Sequence, residues 1–417
     1  MKRLASLFLL GTVYASVVLV PALVVYWAVV DVSAAVVAGG IVLLVIVSVV
    51  VLCLSCLVGW AVAKASLRLK NKSFVTVLIA LAFVGLYYFA YFQAEAVVKD
   101  MLVNAALYGT SVQDAVPWLY AFGNIGTGDL RAAFMFLVLA IALLVVTVRL
   151  MARGYLATAT ATGKVKQARY VEKIARQRSQ FWALVGKELA KFASSPNYML
   201  NSGLGIVFML VVGVAALLKA DFLNQLVVEV WGADPAQACV LFCGVLCLLA
   251  ASNDIAAPSV SLEGRNIWML QSLPLTPRCV LRAKAAVHFI LTVVPLAFAV
   301  ACVAAVVDLP AAPKALMCVV PFAYAALTCM AASSLGVKMA NLSWTDEAVP
   351  IKHGGAAVIA MFGGWAVAVL LVVMYFAFEG SFGASLYLAA SGAIFLAAAV
   401  GLFHWLSTAG GRAFAAL

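Results

Sequence analysis

Residues 34–63 read AAVVAGGIVLLVIVSVVVLCLSCLVGWAVA, thirty positions without an Asp, Glu, Lys or Arg. About 20 apolar residues cross a bilayer as a helix. The run is continuous rather than alternating with period two, which argues against a strand of a membrane barrel. Similar runs recur along the whole chain. Of 417 residues, 66% are hydrophobic and only 10% charged, against about 25% charged in an ordinary soluble domain. So few charges cannot cover a water-facing surface, which excludes a soluble enzyme and a disordered chain. The sequence predicts an all-α integral membrane protein with about ten transmembrane helices.

The ten candidate spans are Leu4–Val30, Ala34–Ala63, Phe74–Phe92, Ala132–Val148, Tyr198–Leu218, Gln237–Ser252, Ala285–Val307, Ala315–Val337, Gly354–Ala377 and Ala384–Phe403. The first is too long for a cleaved signal peptide and lacks a small-residue cleavage site after its apolar run. Positive residues stay on the cytoplasmic side, and placing both termini there puts 23 of the 27 Lys and Arg inside. Ten of the 16 acids then fall outside, Asp31, Asp114, Asp234 and Glu379 among them. The basic balance therefore reflects orientation and anionic lipid, and no nucleic-acid partner is expected.

The chain divides into residues 1–150 with four spans, a linker over 151–194, and residues 195–417 with six spans. The linker opens with a basic stretch, Lys164 to Arg178, that reads as a solvated helix along the anionic inner leaflet. It continues as SQFWALVGKELAKF, Ser179 to Phe192. Phe181, Val185, Leu189 and Phe192 recur at helical spacing while Lys187, Glu188 and Lys191 face elsewhere, the pattern of an interfacial amphipathic helix. Pro196 ends it.

After the sixth span comes SLEGRNIWMLQSLPLTP, Ser261 to Pro277. Ser259 or Ser261 can cap a short helix with Glu263 in its first turn. Leu262, Met269 and Leu273 share one face, Trp268 lies nearby, and Pro274 and Pro277 close the segment. Large apolar residues on a short helix under the membrane suit the groove of a partner.

Cys239, Cys243 and Cys247 form one helical stripe inside the sixth span, and they read as small packing residues rather than metal ligands. No metal site is expected. Between their boundary charges the ten spans hold no Asp, Glu, Lys or Arg; His288 is their ionisable residue, and Asp254 reads as an anchor at a helix end. Secondary carriers usually need intramembrane carboxylates. The chain also lacks a G-x-x-x-x-G-K-[ST] phosphate loop. Energy for uphill transport would have to come from a second polypeptide.

Three segments, in order, resemble the permease subunits of bacterial ABC-2-type exporters. They are ALVGKELAKFASSPNYMLNSGLG (Ala183 to Gly205), SLEGRNIWMLQSLPLTP, and NLSWTDEAVPIKHG (Asn341 to Gly354). The resemblance covers about residues 180–355 and implies a bacterial plasma-membrane protein that is not itself an enzyme. The first segment resembles the family's connecting helix, with Phe181, Val185, Lys187, Glu188, Leu189 and Phe192. The second resembles the coupling helix that docks in the ATPase, with Leu262, Glu263, Gly264, Arg265, Trp268, Met269, Leu273 and Pro274. On the third, Trp344, Asp346, Glu347 and Lys352 would make a second ATPase contact. The chain would bind no cofactor of its own; ATP and Mg would sit on the separate ATPase subunit, and membrane lipids would surround the spans.

The family unit has six spans, matched by spans five to ten. LVPALVVYWAVVD (Leu19 to Asp31) resembles VVPLAFAVACVAAVVD (Val293 to Asp308), so the first four spans read as an incomplete first copy. Its missing part would lie upstream of Met1 or on another chain, a second permease copy included. Two other readings stay open: a membrane enzyme acting on a lipid-linked substrate, through Asp100, Asp114 and Asp129, and a secondary carrier.

Overall fold

The apolar runs are helices in the structure, a computed structural model that describes residues 2–30, 32–66, 72–103, 116–159, 179–232, 234–378 and 383–417. Asp31, Asp114, the basic stretch from Lys164 to Arg178, and Glu379 lie outside the described residues. Among the described residues every regular element is helical. Nine helices are long and apolar enough to cross a membrane, or ten if one bent pair counts as a single span. The protein is an all-α integral membrane protein that crosses the bilayer many times.

The chain forms two compact units, Met1–Glu172 and Lys173–Leu417. In the first, α1 (Lys2–Val29), α2 (Ala34–Ser66), α3 (Lys72–Val103) and α5 (Leu130–Ala159) are the long helices, with α4 (Pro117–Gly123) a short turn before the last. Helix α2 packs against α1, α3 and α5. At Gly39 a Cβ would collide with the carbonyl oxygen of Ile125. Only a residue without a side chain lets α2 and the turn after α4 meet there. The Asp129 carboxylate accepts from the backbone N–H groups of Arg131 and Ala132 and so starts α5, as an N-cap acid does.

The second unit begins with α6 (Gln180–Ser194), started by the Ser179 hydroxyl and stopped before Pro196. The fifth span is broken. Helices α7 (Pro196–Ser202) and α8 (Leu204–Leu218) meet at Gly203 with a bend of 56°. The chain then runs through α9 (Ala220–Trp231) into α10 (Ala236–Ala251). Helix α10 is apolar all round and sits at the centre, against α8, α14 (Ala311–Lys338) and α16 (Gly355–Ala377), the position such a helix requires. Its Cys239, Cys243 and Cys247 are fully buried among Ala216, Met317 and Tyr324. Helices α13 (Pro277–Val306) and α17 (Ala384–Trp405) complete the bundle.

Between α10 and α13 every residue from Ala251 to Val260 is buried, the single turn α11 (Ala256–Ser259) included. A buried irregular stretch must satisfy its polar groups internally. The Asn253 side chain accepts from the Ile206 N–H at 3.1 Å and donates to the Thr292 hydroxyl at 3.2 Å. The Asp254 N–H donates to the Ser202 carbonyl at 3.1 Å, and the Tyr198 hydroxyl donates to the Ile255 carbonyl. The Ala256 N–H donates to His288 Nδ1 at 3.4 Å. These bonds stitch the broken fifth span to the end of α10.

Four expectations change. The seventh span does not begin at Ala285: its helix starts at Pro277, and Lys284 lies inside it, 3% exposed. Glu188 does not face away from the membrane surface of its helix but is buried with Leu184, Val185 and Phe192. Neither Ser259 nor Ser261 caps a helix; the Ser259 hydroxyl donates to the Ala256 carbonyl, and the Ser261 hydroxyl accepts from the Asn341 N–H. The single short helix after Ser261 is two pieces, a 3-10 turn over Ser261–Asn266 and α12 (Ile267–Ser272), divided at Gly264 with φ +55.

That break removes Leu262 from the face of Met269 and Leu273. Leu262 is 7% exposed and packs inward with Ile267 and Leu270. Trp268, Met269 and Leu273 remain outside, 61%, 51% and 50% exposed.

Candidate functional site: a buried charge hub

The amphipathic helix α6 lies along α13. Its apolar positions anchor it, and Glu188 sits among them because a partner reaches it from α13. Lys284 Nζ is 2.9 Å from Glu188 Oε1 and 2.6 Å from Glu263 Oε1, and it donates to the Ser259 carbonyl at 3.0 Å. One ammonium thus satisfies three acceptors on two segments far apart in the sequence, α6 and the stretch from Ser259 to Glu263. Its three donors are fully used.

Two further lysines of α6 close the hub from the outside. Lys187 Nζ lies 2.9 Å from Glu263 and 3.2 Å from Glu188, and Lys191 Nζ lies 3.4 Å from Glu263. Burial lowers the affinity of Lys187 for its proton, but the Glu188 and Glu263 carboxylates outweigh that and leave its pKa raised. Lys191 goes the other way: burial, with the charge of Lys284 adding to it, holds its pKa below the ordinary lysine value. An unpaired charge in such a place would be strongly disfavoured. Paired and hydrogen-bonded, it locks α6, the Ser261–Asn266 turn and α13 in one register.

A second lock joins the third segment. The Trp344 indole N–H donates to the Ser261 carbonyl. Its ring lies over Gly264, where a Cβ would come within 3.3 Å of the Trp344 ring. Gly264 is therefore constrained twice, by a left-handed backbone and by the tryptophan. Gly264→Ala is expected to lower the unfolding free energy by about 1–2 kcal/mol, read as a lower midpoint of thermal unfolding in detergent. An unchanged midpoint would remove the tight turn from this account.

The remaining residues of that segment stand apart from the hub. Asp346 is exposed, and its carboxylate accepts from the Ala348 N–H at 2.9 Å, starting α15 (Ala348–Lys352). Glu347 is half-buried beside it and Lys352 is exposed. Helix α15 packs on α7. Arg265, Trp268, Met269, Leu273 and Pro274 form the outer rim below the hub, all exposed. Phe181 and Leu189 are half-buried along the edge of α6.

No protein-family model, curated protein or solved structure matches the chain. Functional meaning must therefore come from the arrangement itself. It holds three loops or surface helices rigidly together at one end of the bundle, around a ladder of charge, and leaves an apolar rim facing out. No group of three or more His, Cys, Asp or Glu able to hold a metal ion occurs among the described residues.

Proposed function

We propose that this chain is the membrane-spanning, non-catalytic subunit of an ATP-driven exporter, and that a separate ATPase docks on the rim formed by Trp268, Met269 and Leu273. The observation that carries this reading is the hub. Lys284, Glu188 and Glu263 bind the helix from Gln180 to Ser194 and the turn before the rim to a membrane span. Force applied to the rim would reach α13 directly, a rigid-body coupling of docking surface and membrane helix. The three segments whose sequences resemble exporter permeases are also the three that meet here. Orientation is part of the proposal: the basic end of the bundle, with the hub, faces the cytoplasm of a bacterial cell.

Purification of the intact complex from its native membrane, with every copurifying protein identified, tests the proposal. A subunit carrying a phosphate loop, in fixed stoichiometry, is the expected result. Its absence after mild solubilisation would count against an exporter. Orientation has its own check. A cysteine replacing Asp234 should react with an impermeant thiol reagent added to whole cells, whereas one replacing Arg265 should react only after permeabilisation. The reverse pattern would put the rim on the wrong side for any ATPase.

A further inference from the structure

Beside the hub, on the other flank of α13, lies a cavity of about 810 Å³ between α6, α13, α14 and α17. Its wall changes character along α13. Arg278 and Arg282 stand at one end, within the first two turns of the helix; Phe289 stands about 10 Å further along, with Met330 of α14 opposite. Phe289 and Phe403 are 37% and 41% exposed on membrane-spanning helices, so the cavity is open to the outside of the bundle.

The charged end is prepared for an anion. Arg282 lies over the Phe403 ring, its Cζ 4.8 Å from the centroid, and donates to the Ser407 hydroxyl at 3.1 Å. That leaves most of its five donors free. Among the described residues neither Arg278 nor Arg282 pairs with a carboxylate, unlike the three lysines of the hub. Two unpaired guanidinium groups above an aromatic and methionine wall describe an amphiphile: a charged oxyanion at the membrane surface and a hydrocarbon tail below it. A free phosphate ion would use the first half of this site and leave the apolar half without an occupant.

We propose that this cavity binds an anionic phospholipid of the surrounding leaflet, with the phosphate between Arg278 and Arg282 and an acyl chain along Phe289 and Met330. The site stands on its own residues and would hold whether or not an ATPase docks on the rim. A lipid there would lie against Phe181 of α6 and so contact the same amphipathic helix that the hub grips.

The test uses the full chain in detergent, titrated with phosphatidylglycerol or phosphatidylcholine and read by native mass spectrometry. Phosphatidylglycerol should be retained preferentially, and Arg278→Gln should weaken that preference about fivefold, the usual effect of one basic residue at an anionic membrane surface. Arg278 is the residue to change, because Arg282 also packs on Phe403. Lys352→Gln, an exposed cation outside the cavity, should leave the preference intact. Position is read independently at Cys279, which lines the cavity: phosphatidylglycerol should slow its alkylation, while phosphatidylcholine and inorganic phosphate should not. Equal losses in the two variants, no loss in Arg278→Gln, or protection of Cys279 by phosphate alone would overturn the proposal.

Discussion

Replacing Lys284 by Met is expected to lower the unfolding free energy by about 3–5 kcal/mol, the usual penalty for removing one partner of a buried ion pair. The substitution keeps the aliphatic volume and removes the ammonium. Glu188 and Glu263 are then left facing each other at the site where both had been 2.9 Å or less from Lys284 Nζ, and the Ser259 carbonyl loses its donor. Lys187 and Lys191 stay on the carboxylates from the exposed side, which places the expected loss at the lower end of that range. Thermal unfolding in detergent, monitored by helical circular dichroism, measures the loss. The double variant Lys284→Met, Glu188→Gln should recover part of it, because Glu263 keeps Lys187 and Lys191 and no buried charge is left without a partner. A single variant as stable as the parent would show that the hub is solvated and holds nothing together.

The second large effect concerns the rim. Trp268, Met269 and Leu273 changed together to Asp should abolish copurification of an ATPase while leaving the unfolding midpoint unchanged. Each apolar side chain contributes about 1.5–3 kcal/mol when fully covered, so losing three weakens binding by more than about a thousandfold. Leu262→Asp is the contrasting variant. At 7% exposed it belongs to the interior, and its replacement should lower the midpoint. An ATPase recovered in full with the triple variant would refute docking at this rim.

The spans and the amphipathic helix were legible because apolar length and helical period report directly on burial. The hub was not, and the reason is specific. Reading runs of apolar residues ends a span at its first charge, which makes Lys284 a boundary and starts the seventh span at Ala285. A different pattern is present: Val280, Lys284 and His288 are four apart, one buried face of a helix that begins at Pro277. Glu188 was equally visible, three residues after Val185 and four before Phe192. A lone Glu inside an apolar stripe and a lone Lys inside another are each anomalies, and together they are a pair. Which other segment they meet is a long-range fact that no local period contains. The break at Gly264 escaped for another reason, since a positive φ depends on the tryptophan that closes over it. The bend at Gly203 likewise depends on Asn253 offering its side chain to a freed backbone N–H.

The place of Lys284 along α13 sets a mechanical ratio. It lies about 10 Å from the start of a helix whose remaining length is about 33 Å at 1.5 Å per residue. Tilting that rod by 5° about the lysine displaces the near end by about 1 Å and the far end by about 3 Å. Travel no greater than a side-chain adjustment at the charged end is thus geared up roughly threefold at Val306, the other end of the helix.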